Sequence, residues 1–320
     1  MPNLGIKQGK LPLKPMSNPT EYKSLIKSIY SKAFNGNEVL KAKWEEGSLY
    51  TVPTYQYIKD NEDKTEIKVM TYNVWFDDHF RDERYQVIIN MIEQSDADFI
   101  CLQEVTQAFM SSLLQNTTIR STYFISGNHI SGYGVLILSK YPSLFYEMPF
   151  CTLQGRSLLI CEPLEGITQN QKNLLVGTMH LESNGPNFNI RIKQMQSAFE
   201  VMRDIGCLDH LFMGDFNFDS TSEDQHKVLI ENGYYDVYLD LNDGKESGTM
   251  LGKKDLPQWR PDKIICLKDM PIWKPKDIQI VGKFAIPKFA NEDINNVKDD
   301  GIIRTPSDHM ALLATFELNI

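Results

Sequence analysis

Five apolar runs in this chain each meet a carboxylate, a carboxamide or an imidazole at one end. Asn73 ends the run Ile67 to Tyr72, Glu104 follows Phe99 to Gln103, and Asp215 with Asn217 follows Leu211 to Gly214. His180 ends the apolar stretch of NLLVGTMHLES, and Asp308 with His309 precedes Met310 to Phe316. Strands lying side by side bring their ends to one rim of a sheet, so residues this far apart in the chain can share one site. Convergent Asp, Glu, Asn and His without clustered cysteine point to an oxygen-ligated Mg2+ or Mn2+ that works on a phosphate ester.

A chain of 320 residues can bury a sizeable core. The economical division is a catalytic domain over 67–320 with an N-terminal arm over 1–66, in which Glu21 to Phe34 has the pattern of a helix. The five cysteines, Cys101, Cys151, Cys161, Cys207 and Cys266, are odd in number, form no CxxC and mostly sit in apolar runs. They read as reduced core residues of an intracellular protein. No apolar run approaches the ~18 residues needed to span a bilayer, and MPNLGIKQGKLPLKP has no hydrophobic targeting region. The expectation is a soluble monomer of the nucleus or cytoplasm with no membrane partner.

Residues 1–68 carry 11 Lys and no Arg against 8 Asp and Glu, a net +3, so the rest holds −12 of the total −9. Non-specific affinity for long duplex comes from neutralising many phosphates, which an acidic domain does poorly. A site that grips one phosphate or a strand end suits this balance better.

Apolar spacing at Val87, Ile88, Met91 and Ile92 predicts a helix over Asp82 to Ser95, and Thr106 reads as the N-cap of another over Gln107 to Leu114. Short strands are expected at YFIS, YGVLILS, FYEMPF and SLLICEPL. Further strands are expected at Tyr235 to Leu241, Lys263 to Leu267, Ile278 to Val281 and Met310 to Leu318, with helices over Ile190 to Ile205 and after Asp219. Two strand-rich halves with helices outside predict an α/β fold, a four-layer α/β/β/α sandwich of two packed mixed sheets.

TYNVWF, LQEVT, HLES, GDFN and SDH, in that order, resemble the endonuclease/exonuclease/phosphatase superfamily, over about Ile67 to Leu318. HLES followed by Arg191 and Gln194 is most similar to the 5′-tyrosyl-DNA phosphodiesterases. The resemblance implies a DNase-I-like fold and a Mg2+-dependent phosphodiesterase, with Mn2+ able to substitute. Its partner would be a nucleic-acid 5′ end carrying a tyrosyl or peptide adduct, in repair of trapped topoisomerase links to DNA or at a protein–RNA link.

Phosphodiester hydrolysis needs a cation for developing charge, a base that orients water, and donors for the non-bridging oxygens. Glu104, after an apolar run, would be costly if buried unpaired, so it is the first candidate metal ligand; Asp308 is the second. Asp215 is the candidate for orienting or deprotonating water, although by itself it reads first as a turn residue after Gly214. Asn73 and Asn217 are candidate amide donors to the phosphate or to the metal-bound carboxylates. His309 and His180 are candidate phosphate donors, with Ser183 a weaker one. The resemblance pairs His309 with Asp262 of WRPDKII, which by itself reads as a turn residue after Pro261. His79, His129, His210 and His226 lack such company and read as surface or loop residues.

Two stretches depart from the resemblance. Met250 and Leu251 follow Thr249 where an aromatic and an acid would wall the substrate groove, leaving Met250 and Trp259 as candidate substrate contacts. Phe218 and Asp219 follow GDFN in place of a basic or Trp-containing stretch. Other readings are another superfamily hydrolase, such as a nuclease or a small-molecule or lipid phosphodiesterase, and a non-catalytic binding protein. The filled set of buried acids argues against the last.

Overall fold

Both faces of the central strands are apolar because both are covered. The computed structural model describes residues 64–127, 130–141, 143–163, 167, 174–251, 259–292 and 302–319. The expected helix Glu21 to Phe34 and His129 lie outside them. The first sheet is built from β1 (Glu66–Asn73), β2 (Phe99–Thr106), β3 (Phe124–Ile125), β4 (Tyr133–Ser139), β11 (Trp273–Val281) and β12 (Ala311–Leu318), in the order β11-β12-β1-β2-β4-β3. The second runs β5-β6-β7-β8-β10-β9, from β5 (Ser143–Pro149), β6 (Ser157–Pro163), β7 (Leu174–His180), β8 (Asp209–Asp215), β9 (Tyr234–Asp236) and β10 (Asp262–Leu267).

Three apolar layers follow from strand parity. Ile67, Val69, Phe99 and Cys101 of the first sheet meet Val176, Leu211, Met213 and Ile264 of the second in the middle layer. The alternate residues Met70, Tyr72, Ile100 and Leu102 face α1 (Arg81–Ser95), α2 (Gln107–Gln115) and α3 (Thr117–Thr122). Leu175, Met179 and Phe212 face α4 (Phe188–Ile205) and α5 (Glu223–Glu231) on the far side. The result is the four-layer α/β/β/α sandwich with mixed sheets. No described helix is long and apolar enough to cross a membrane.

Each sheet centres on a parallel pair joined through a helix: β1, α1, β2 in one and β7, α4, β8 in the other. Each pair is flanked by antiparallel neighbours, β12 and β4 in one case, β6 and β10 in the other. This internal echo has no counterpart in the sequence that the eye can follow.

Thr106 caps α2 as expected, its side chain accepting from Phe109 N. The expected strand Tyr235 to Leu241 is instead the three-residue β9 followed by the short helix α6 (Val237–Leu241). Asp236 causes the switch: its carboxylate accepts from Tyr238 N and caps the helix. His210 is a buried residue of β8, hydrogen-bonded to the Tyr234 hydroxyl at 3.1 Å, and not a surface or loop residue. His226 lies half-buried on α5 and His79 half-buried in the loop after β1. The five cysteines are all free; Cys101, Cys161 and Cys266 are buried, Cys207 is half-buried and Cys151 exposed.

Candidate active site

The inward parity of the middle layer carries on past the apolar residues to the site. Inward positions of β1 run Ile67, Val69, Thr71, Asn73; those of β7 end on Thr178 and His180, and those of β8 on Asp215. Asp262 opens β10 opposite Asp215, and His180 pairs with Asp215 on the other side. Between core and site, Gln103 hydrogen-bonds Thr71 and Thr178 across the two sheets. The register therefore delivers one polar end to an otherwise apolar sandwich.

Glu104 breaks this parity. It follows the inward Gln103, yet the β2 to β4 register shifts between Leu102 and Val105, and Glu104 sits at φ 57°. A non-glycine residue in that region marks a bulge, which re-aims a side chain. Glu104 Oε2 accepts from Phe76 N at 3.1 Å, and Oε1 lies 4.0 Å from His180 Nε2. Gly214 is required for another reason: a Cβ there would lie 2.0 Å from the carbonyl oxygen of Met179.

Asp215 is the hub. Its Oδ2 accepts from Asn73 Nδ2 at 3.0 Å and lies 3.3 Å from His180 Nε2 and 3.9 Å from His309 Nε2; Oδ1 accepts from Asn217 N at 2.9 Å. The side-chain amide of Asn217 turns away to the Leu181 carbonyl, so its backbone rather than its carboxamide serves the site among the described contacts. Ligand atoms of Glu104, His180 and Asp215 fall within 4.8 Å of one another, as do those of Asp215, Asp262 and His309. Asp308 lies beside these groups, half-buried and sensing the charges of His309 and Asp215.

The two imidazoles are in opposite states. Arg156 Nη1 meets His180 Nδ1 at 2.9 Å, and a guanidinium can only donate, so Nδ1 accepts and the proton rests on Nε2, facing Asp215. Burial, reinforced by Arg156, pushes His180 down to about 3 against the opposing pull of Asp215, which keeps it neutral. Burial also disfavours charge on His309, but Asp262 at 2.8 Å from Nδ1, with Asp308 and Asp215 nearby, holds it well above the usual value. Asp262 Oδ2 also accepts from the Thr249 hydroxyl at 2.5 Å. Burial raises the carboxyl groups of Glu104 and Asp308.

Residues 70–309 match the endonuclease/exonuclease/phosphatase family, three quarters of the chain and all of the site described above. The chain belongs to that family. As a member it is a hydrolase, and its paired sheets have the family's DNase-I-like fold. No curated protein matches it by sequence. Among solved structures, D. rerio TDP2 complexed with a single-strand DNA product is 19% identical with a TM-score of 0.62, over 79% of this chain and 100% of that one. TDP2 from C. elegans is 16% identical with a TM-score of 0.61, over 97% and 96%. The mannosyl-6-phosphatase Bt3783 of Bacteroides thetaiotaomicron is 15% identical with a TM-score of 0.57, over 79% and 100%. At these identities the likeness is one of fold.

Every residue expected at the site lies at this end of this family member, and the structure adds four more. Arg156, whose Nη2 also donates to Ser183 Oγ at 2.9 Å, is the largest omission; the only signal was an Arg after the turn glycine Gly155. Arg84 spends its guanidinium on five carbonyls, those of Val74, Trp75, Asp77, His79 and Pro306. Ser307 donates to the carbonyl of Asn73 at 2.7 Å and accepts from His309 N, so the serine of SDH fastens β1 to the start of β12. Glu182 of HLES accepts from the Thr152 hydroxyl, Leu153 N and Gln194 Nε2, while Arg191 donates to the carbonyls of Glu182 and Asn184. HLES with Arg191 and Gln194 is thus a scaffold for the loop leading to Arg156. Met250 bridges to both Trp259 and His309, and the Trp259 indole donates to its sulfur.

Proposed function

We propose that the protein is a divalent-cation-dependent phosphodiesterase that hydrolyses a phosphotyrosyl bond at a nucleic-acid 5′ end, with Mg2+ as its cation and Mn2+ as a substitute. The observation that carries the reaction class is the meeting of Glu104, Asp215, Asp262 and Asp308 with one neutral and one cationic imidazole. Four carboxylates in a buried site need more positive charge than His309 and Arg156 bring, and Glu104 Oε1 meets no hydrogen-bond donor among the described residues. These residues fit a hard cation with oxygen ligands, and Glu104 and Asp308 would hold it. When bound, such a cation offsets charge on the phosphoryl and leaving oxygens.

The other roles belong to this chain's own groups. Asp215, fixed through both oxygens by Asn73 and the Asn217 backbone, orients water and takes its proton. His309, kept charged by Asp262, donates from Nε2 to a non-bridging oxygen, and neutral His180 donates from its own Nε2. Ser183 is a weaker donor, and Met250 with Trp259 forms one wall of the groove. Support for the tyrosyl substrate comes from the wording of HLES, Arg191 and Gln194 and from the likeness to the two TDP2 structures, one of them holding a single-strand DNA product. A second reading, a sugar phosphatase, draws on the likeness to the Bacteroides mannosyl-6-phosphatase.

Turnover of a 5′-phosphotyrosyl oligonucleotide, a chromogenic phosphodiester and a hexose 6-phosphate, each with and without EDTA, separates these readings. The expected result is fastest cleavage of the phosphotyrosyl oligonucleotide, lost in EDTA. Preference for the sugar phosphate selects the second reading, and full activity in EDTA removes the cation.

A further inference from the structure

Phe76 stands out among the large apolar side chains because it is 46% exposed and sits beside the site. Its backbone N–H holds Glu104 Oε2 at 3.1 Å, which ties its position to a proposed cation ligand. Its ring lies nearly parallel to that of Tyr133, with centroids 4.8 Å apart and an interplanar angle of 9°. Tyr133 in turn lies 5.3 Å from the Arg156 guanidinium and 6.4 Å from the His180 ring. An aromatic left this open forgoes part of the burial that favours folding. The stacked Tyr133 holds the ring in one orientation with apolar surface still facing water.

We infer that Phe76 is a base-stacking residue that receives the first nucleobase beside the scissile phosphate, next to the cation ligand Glu104. Three observations favour a nucleobase. The offered surface is flat and uncharged, as a π-face requires. Tyr133 already stacks on the ring in parallel, an arrangement that a base would extend. The backbone bond of Phe76 to Glu104 keeps the ring at the edge of the cluster where the proposed reaction takes place, and a nucleotide carries its base next to its phosphate. The inference rests on the reading of the site as one for a nucleic-acid 5′ end, and adds that the first nucleotide is recognised by its ring rather than by its sequence.

The test uses single-stranded oligonucleotides with a 5′-phosphate, carrying 2-aminopurine or an abasic residue as the first nucleotide, titrated into the full chain. Wild type should quench the 2-aminopurine emission and bind the base-bearing strand about tenfold more tightly than the abasic one, a factor within the range for one stacked base. Phe76→Ala should lose the quench and the discrimination together, and Phe76→Trp should keep both. Phe76→Ala should still bind the abasic strand as tightly as wild type does, which a general loss of fold or of cation would not allow. Equal discrimination in Phe76→Ala and wild type, or none in wild type, overturns the assignment. If only the ratio between p-nitrophenyl and methyl phosphodiesters changes in Phe76→Ala, the ring serves the leaving group and the nucleobase assignment is wrong. Discrimination of bases without cleavage of any phosphotyrosyl end sinks the proposed substrate and leaves Phe76 standing; absence of any oligonucleotide binding sinks both.

Discussion

Two histidines a few ångströms from one carboxylate differ in charge because of what touches their far nitrogens. Burial, reinforced by Arg156 on Nδ1, leaves His180 neutral, whereas Asp262 on Nδ1 overcomes the same burial and leaves His309 cationic. Groups whose environments drive their protonation apart are how a site keeps a fixed donor next to a proton acceptor. If Asp262 acts through His309, Asp262→Asn and His309→Ala should each cost a similar factor in single-turnover rate, and the double variant little more than one of them. Simple addition of the logarithmic effects would show two independent residues. His210 supplies a test away from the site. Burial lowers it to about 4, against an unfolded value near 6.5. Above 6.5 both states are neutral and the stability is complete; as pH falls below 6.5 the unfolded chain takes up the proton first. Stability should therefore fall by roughly 1.4 kcal/mol per pH unit from this group until the folded form protonates near 4. Urea denaturation from pH 7 to 4 should show a flatter profile for His210→Gln than for wild type, and matching profiles would contradict it.

At the scale of elements, the loop after β1 and the loop before β12 are held by one side chain. Arg84 donates along five N–H directions and lies over the Trp75 ring at 4.3 Å. A lysine there keeps the charge and loses the fork, so Arg84→Lys should cost roughly 2–4 kcal/mol of stability. It should also loosen residues 74–80 to proteolysis and lower activity, although Arg84 touches no proposed catalytic atom; unchanged protease resistance would refute the staple. Elements also show what could be read beforehand. Asn73, His180 and Asp215 were legible because buried strands give continuous apolar runs, and the polar residue that ends such a run marks its rim. Asp262 was not legible from spacing, since it begins its strand after a proline, and Arg156 was hidden for the same kind of reason behind Gly155. The helix over Val237 to Leu241 is hidden in the sequence because VYLDL, five residues, is too short for a period to settle helix against strand. Glu104 was found, but the bulge that aims it is a backbone property that no side-chain pattern carries.

At the scale of the molecule, the candidate site is shared between the sheets. Asn73, Glu104, Asp308 and His309 arrive with the first, and His180, Asp215, Asn217 and Asp262 with the second. The proposed cation ligands Glu104 and Asp308 come from β2 and the stretch just before β12 and meet only in the folded chain, so millimolar Mg2+ should raise the midpoint of thermal unfolding by an amount that grows with concentration. Glu104→Ala should abolish that shift, and an equal shift in the variant would name the wrong ligand. The outer margin of the first sheet has a different consequence. Among the described residues β11 pairs only with β12, and its ladder slips between Pro275 and Asp277, with Lys274 and Lys276 on either side of the proline. A free strand edge is a template on which a second chain can add itself, and a proline, a kink and paired lysines are the features that spoil such templates. In the described sheet the margin thus carries the features that oppose growth into a fibre of copies.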